Sequence, residues 1–230
     1  MNFWLGLVVC WLLATVGHGR GHSWMCTIFV APEWRFLCYC TVLNNRWVIT
    51  SADCFKGFDS PDIHRVFIRY PNGPWEDRSN QVGIRKRITT RDRTLTVLQT
   101  AEPLAGVTEN TLIAAGEIFR ENDVTIATYE SYGSNGTRQQ DVQVIDTRKA
   151  ENAECNPVIF EDETHFCMEY CNAGRGNGVV TTRNGQTFLL GVVLYEEREC
   201  EHRFYGEDVV AKVEPYKTLI EAEMKRLAIN

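Results

Sequence analysis

A chain of 230 residues with 44% hydrophobic and 23% charged residues has the composition of a folded globular protein, which excludes a disordered one. The length suits one medium domain or two small lobes that share an interface. A formal net charge of -6 disfavours general binding to nucleic acid or to an anionic membrane surface.

The first element is an apolar, uncharged run over residues 3–16 that breaks into small residues at Gly17 and Gly19. It is too short for a comfortable membrane span and suits a secretory leader, here a signal peptide over residues 1–19, although no Lys or Arg precedes it. The alternative is a buried N-terminal helix, which the short length and missing amphipathic period disfavour. No later stretch approaches spanning length, so the expectation is a soluble, secreted, extracellular protein. Of nine cysteines, Cys10 leaves with the leader, and Cys26, Cys38, Cys40, Cys54, Cys155, Cys167, Cys171 and Cys200 remain. An even number in a secreted chain reads as a disulfide framework. The usual paired CxxC or CxxC with HxxxH spacings are absent, so no metal site and no cofactor are expected.

Strand-like runs follow in order. Residues 24–30 and 36–43 are rich in β-branched and aromatic residues and flank a turn-like Ala31-Pro32-Glu33-Trp34-Arg35, which reads as a hairpin. Further runs lie at 46–50, 65–70, 94–99, 124–129, 141–146, 177–182, 187–194 and 208–213, several separated by turn signals such as Asn184-Gly185. Many short strands at modest spacing indicate a barrel or sandwich. Apolar residues Tyr216, Leu219, Ile220, Met224 and Leu227 then fall at helical spacing. There is no repeat and no low-complexity tract.

Residues 38–54 read C-Y-C-T-V-L-N-N-R-W-V-I-T-S-A-D-C. This resembles the segment of trypsin/chymotrypsin-like serine proteases, roughly C-G-G-S-L-I-x-x-x-W-V-L-T-A-A-H-C, that carries the catalytic histidine, with Asp53 in the histidine's place. Residues 166–180, F-C-M-E-Y-C-N-A-G-R-G-N-G-V-V, resemble the nucleophile segment F-C-A-G…C-x-G-D-S-G-G-P-L-V, with Arg175 for the serine and Gly174 for the aspartate before it. Residues 93–104, R-T-L-T-V-L-Q-T-A-E-P-L, are similar to D-I-A-L-L-K-L-x-x-P-L, with Thr94 at the aspartate position. The resemblance runs from about Trp24 to the C-terminus. It implies an all-β fold of two antiparallel six-stranded barrels, about 22–115 and 116–213, within a domain spanning 20–230, followed by a C-terminal α-helix over about 214–228.

The family pairing implies disulfides Cys38–Cys54, Cys155–Cys167 and Cys171–Cys200, while Ala127 and Thr181 stand where another bridge is lost at both ends. Cys26 and Cys40 remain. If Glu33 centres the first hairpin, these two face one another, and a fourth disulfide Cys26–Cys40 is expected, with two free thiols as the alternative. The resemblance also implies an altered specificity pocket, with Glu169, Glu196 and Asp208 at or beside its walls. It makes Asp53 and Arg175 neighbours, leaving open whether they form an ion pair or Arg175 turns to solvent.

Acyl transfer on this fold uses a hydroxyl nucleophile, an imidazole base and an orienting carboxylate. Arg175 is always protonated and offers no lone pair, Asp53 is a weak base, and Thr94 cannot stabilise an imidazolium. His22, His64, His165 and His202 have no spacing that pairs them with a Ser or Cys nucleophile. The new N-terminus that active members pair with the aspartate before the nucleophile has no counterpart in Gly19-Arg20-Gly21-His22-Ser23, nor the aspartate in Gly174. The expectation is a pseudoprotease, similar to the short insect serine protease homologues without a clip module. It would bind an extracellular protein partner (a protease, inhibitor, receptor or another homologue) in seminal fluid or haemolymph, with the missing regulatory domain favouring the former. The alternatives are a residual or altered endopeptidase and a polyanion binder using Arg85, Lys86, Arg87, Arg91 and Arg93. Asn135-Gly136-Thr137 reads as an N-glycosylation acceptor.

Overall fold

The computed structural model describes residues 24–57, 60–70, 80–129, 142–151, 161, 163–170, 173–195 and 208–226. The leader, Asn135, Cys155, Cys171, Glu196, Cys200 and His202 lie outside the described residues.

The first barrel is closed by β1 (Met25–Val30), β2 (Arg35–Asn44), β3 (Trp47–Ser51), β4 (Val66–Arg69), β5 (Gln81–Thr89) and β6 (Leu95–Thr100), in the order β1-β2-β3-β6-β5-β4. The second lobe holds β7 (Leu112–Ile113), β8 (Asp123–Tyr129), β9 (Val142–Arg148), β10 (His165–Met168), β11 (Gly178–Arg183), β12 (Gln186–Tyr195) and β13 (Asp208–Lys212). Its strands run β10-β13-β12-β11-β8-β9, with β7 pairing parallel to β12. This sheet does not close with a full ladder as the first does. Among the described residues only the ends of β9 and β10 overlap, joined by the Lys149–Met168 bridge and by backbone bonds from Glu169 to Arg148 and from Ala150 to Cys167, both 2.9 Å.

The strands are apolar on both faces because each face has its own neighbour. Successive side chains alternate across a strand. In the first lobe Cys26, Ile28, Cys38, Cys40, Val42, Val48 and Leu98 fill the barrel, whereas Met25, Tyr39, Trp47, Ile49, Leu95 and Val97 face outward. That outward set meets Ala127, Val180, Leu189, Val192, Ala211 and Val213 of the second lobe in one shared core. Val179, Leu190, Val193 and Val210 line the second lobe's own interior. The lobes are thus fused along a dry seam.

α1 (Lys217–Arg226) starts after a 3-10 turn at Glu214–Tyr216, where Pro215 has no N–H to lose. Ile220, 2% exposed, anchors it in the seam core beside Tyr216 and Met224, which contributes roughly 1.5–3 kcal/mol for the one side chain. Leu219, expected on the same apolar face, is exposed.

In the first hairpin, Met25–Ile28 pair with Cys38–Thr41 in the register that Glu33 as centre requires, Cys26 opposite Cys40. The register then shifts by one between Ile28 and Phe29, so the pairs nearest the turn differ from that simple count. Cys26–Cys40 and Cys38–Cys54 are disulfides, and Cys167 is disulfide-bonded to a partner outside the described residues. Ala127 and Thr181 lie on the neighbouring strands β8 and β11.

Candidate functional site

The three positions singled out by the motifs converge on the seam. Asp53 sits in the 3-10 turn Ala52–Phe55 that ends β3, where the Ser51 hydroxyl accepts from the Asp53 N–H at 3.3 Å. The preceding residue, Ala52, donates its N–H to the Thr94 carbonyl at 3.0 Å, which holds the start of β6 against this turn. Thr94 is in turn fixed by its own N–H, shared between the Thr90 hydroxyl and the Asp92 carboxylate at 3.2 Å each. Arg175 lies on the loop before β11 and reaches the first barrel through its carbonyl, which accepts from the Tyr39 N–H at 3.0 Å. Thr50 completes the link, donating to the Tyr39 carbonyl at 2.7 Å with its hydroxyl 3.3 Å from Cys54 Sγ.

The Asp53–Arg175 ion pair does not form. The Asp53 carboxylate is taken by Lys56 at 2.8 Å, three residues on in the same turn, a contact that costs no long-range ordering. Arg175 is half-buried, and its Nε is enclosed with no hydrogen-bond acceptor.

Tyr39 and Gly174 interlock. A Cβ at residue 174 would stand 2.2 Å from Tyr39 Cε2, and the φ of 84° there is one that side-chain-bearing residues rarely adopt. No aspartate fits at 174 while this ring is in place. Gly176 is pressed equally close: a Cβ there would meet both the Thr50 hydroxyl and the Tyr39 carbonyl at 2.3 Å.

Asp208 has the most consequential placement. Fully buried at the start of β13, its Oδ2 accepts from the Ala173 N–H at 2.6 Å. Asn177 fixes the other side of the same residue, its Nδ2 donating to the Ala173 carbonyl at 2.8 Å and to the Ala127 carbonyl at 2.5 Å. The Gly176 N–H donates to the Val193 carbonyl at 2.8 Å. Residues 173–177 are therefore pinned from four directions.

Glu169, named with Asp208 for the altered pocket, is exposed just beyond β10, and the third residue, Glu196, lies outside the described residues. The basic run is also dispersed. A register irregularity between Ile84 and Lys86 breaks the alternation of β5. Arg85 is exposed, Lys86 reaches Glu223 of α1 at 3.7 Å, and Arg87 lies 5.3 Å from the Phe55 ring centroid. Arg91 and Arg93 are exposed in the following turn.

His165 is held neutral. Burial lowers its pKa, and its Nδ1 accepts from the Glu161 N–H at 3.0 Å, which places the proton on the other ring nitrogen. Lys149 is lowered to about 8 by burial and by Lys212, while its ammonium donates to the Phe119 carbonyl between the rings of Phe119 and Phe166. Neither group has a hydroxyl or thiol nucleophile among its contacts.

The family model described as trypsin matches residues 16–220, nearly the whole chain. The chain belongs to the trypsin family. A shorter stretch is 37% identical over 51 residues to coagulation factor XI of Bos taurus, 22% of this chain and 8% of that protein's length. Membership of the trypsin family accounts for the seam between the two lobes. Tyr39, Ala173 and Asn177 were not singled out by the motifs. Their signal is visible in hindsight in the motif comparison, where Tyr39 stands for a trypsin-family glycine and Gly174 for the trypsin-family aspartate. No helix among the described residues is long and apolar enough to cross a membrane.

Proposed function

We propose that this chain is a secreted, catalytically inactive member of its family that acts by binding an extracellular protein, as a cofactor, decoy or regulator in seminal fluid or a haemolymph cascade. The observation that carries the inactivity is the Ala173–Asp208 hydrogen bond beside Arg175. In this fold the developing oxyanion is held by the backbone N–H of the nucleophile residue and of the residue two before it. Those positions here are Arg175 and Ala173. The Ala173 donor is spent on the internal carboxyl of Asp208 at 2.6 Å, so it is not free to meet an oxyanion. Losing one such donor costs about 100- to 1,000-fold in rate. That loss is separate from the missing serine, histidine and aspartate.

Two measurements test the reading. Restoring the triad with Asp53→His, Thr94→Asp and Arg175→Ser together should leave hydrolysis of fluorogenic peptides about 100- to 1,000-fold slower than the same variant carrying Asp208→Ala, because Asp208 otherwise still holds Ala173. Turnover by the unaltered chain would overturn the inactivity. For the binding role, cross-linking in the native secretion followed by mass spectrometry should recover a protease or a protease inhibitor joined to this chain. Recovery of the chain alone would remove the cascade reading.

A further inference from the structure

We propose that Arg175 is a recognition residue that takes a single carboxylate from a protein partner at the seam between the two lobes. The inference deepens the binding role proposed above and rests on it. A guanidinium is charged at every physiological pH, and an arginine of a folded protein normally spends that charge on a carboxylate, a carbonyl or an aromatic face. Among the described residues Arg175 spends it on none of these. Its Nε is enclosed with no acceptor, no acidic side chain lies within ion-pair distance of it among the described residues, and the neighbouring acid, Asp53, is committed to Lys56 at 2.8 Å. An enclosed donor without an acceptor costs about 1–3 kcal/mol, so the fold retains this residue at a loss.

The loop that carries it is prepared for binding. The Ala173 N–H on Asp208, the Asn177 amide on Ala173 and Ala127, the Gly176 N–H on Val193 and the Tyr39 N–H on the Arg175 carbonyl fix the backbone on both sides of the arginine. A ligand meeting a backbone already held in place does not have to order it, which is where much binding energy is otherwise lost. Gly174 and Gly176 flank the arginine without side chains of their own, so its immediate neighbours in the chain do not crowd the guanidinium.

The geometry favours one carboxylate over a sulfated polymer. A polyanion is held by several free cations in a row, whereas in the basic run Lys86 is paired with Glu223 and Arg87 lies over Phe55, which leaves Arg85, Arg91 and Arg93 exposed, and the chain as a whole carries a charge of -6. A guanidinium on an acidic protein suits a glutamate or aspartate side chain, which the planar fork grips with two parallel hydrogen bonds.

The test uses the full secreted chain, labelled with nitrogen-15, and a pair of short peptides in which glycine alternates with glutamate or with glutamine. The Arg175 side-chain N–H resonance should shift saturably with the glutamate peptide and stay in place with the glutamine peptide. In Arg175→Gln, whose unchanged Gly174 and Gly176 amide signals would show the loop intact, affinity for the glutamate peptide should fall at least tenfold. Equal binding of both peptides, or undiminished binding by Arg175→Gln, overturns the assignment. Cross-linking separates the two proposals. A partner captured equally by the wild type and by Arg175→Gln ends the carboxylate role and leaves the binding role standing. Failure to capture any partner while the glutamate peptide still titrates ends the binding role and leaves Arg175 as a carboxylate site.

Discussion

A phenolic ring and an absent side chain set the state of the loop at the seam. Gly174 cannot become even alanine cheaply, because its Cβ would stand 2.2 Å from the Tyr39 ring and its φ is 84°. Gly174→Ala should lose roughly 2–4 kcal/mol, read as a lower urea midpoint. On a Tyr39→Gly background the same substitution should cost only the left-handed backbone penalty, roughly 1–2 kcal/mol. Equal costs on both backgrounds would mean that the ring is not the obstacle. The motifs located Asp53, Thr94 and Arg175, because each lies inside a run whose neighbours are diagnostic. They did not reveal what these residues touch. The Ala173–Asp208 bond joins residues 35 apart and the Tyr39–Thr128 hydroxyl contact joins residues 89 apart, and no local spacing encodes either. Whether Asp53 pairs with Arg175 was left open by the motifs for the same reason, and Lys56, three residues away, holds the Asp53 carboxylate instead.

Among the elements, those with a clean period were legible and those without one were not. The first hairpin, β3, β6, β11, β12 and α1 announce themselves through β-branched runs or through helical spacing. β5 is hidden because Arg85-Lys86-Arg87 interrupts its apolar residues and a register irregularity falls among them. β7 has two residues and exists through its parallel pairing with β12, while β10 has four and begins with a histidine. The short β10 also carries the titration behaviour of the second lobe. His165, with its pKa lowered by burial, binds fewer protons folded than unfolded just below the ordinary imidazole value of about 6.5, so its contribution to stability is lost as pH falls through that range. Lys149, which bridges to β10, is deprotonated near 8 when folded and near 10.5 when unfolded. The unfolded chain therefore holds the extra proton between those values, and stability rises with pH across that window. Melting temperatures of wild type and Lys149→Met, measured from pH 7 to 10.5 (the interval that brackets this titration), should show the wild type gaining on the variant above about 8. Parallel curves would contradict the shift.

At the scale of the whole molecule, the largest shared core belongs to neither barrel. Trp47, Ile49 and Leu95 from the first lobe, Leu189, Val192 and Val213 from the second, and Ile220 from α1 are all buried in it together. Unfolding either lobe would expose the seam of the other, and with a few hundred Å² of apolar surface at about 25 cal/mol per Å² that exposure outweighs what a single lobe gains by staying folded. Calorimetry of the oxidised protein should show one transition whose van't Hoff and calorimetric enthalpies agree. Two resolved transitions would mean that the seam is weaker than its composition implies. The helix belongs to this unit as well, tied by Ile220 in the core, by Glu223 to Lys86, and by the Tyr216 hydroxyl to the Asp92 carboxylate beside Thr94.

The fit between Tyr39 and Gly174 also gives the exchange of side chains at these two positions a direction in time. An ancestor with a small residue at 39 and an acid at 174 can lose the acid at any moment. Once the aromatic ring has grown into the vacated space, regaining the acid in one step means a collision inside a packed seam. The path back runs through a Tyr39 replacement that leaves a cavity, so each route of return passes a less stable intermediate. The pair works as a ratchet against an acid at 174 for as long as the ring of Tyr39 is in place.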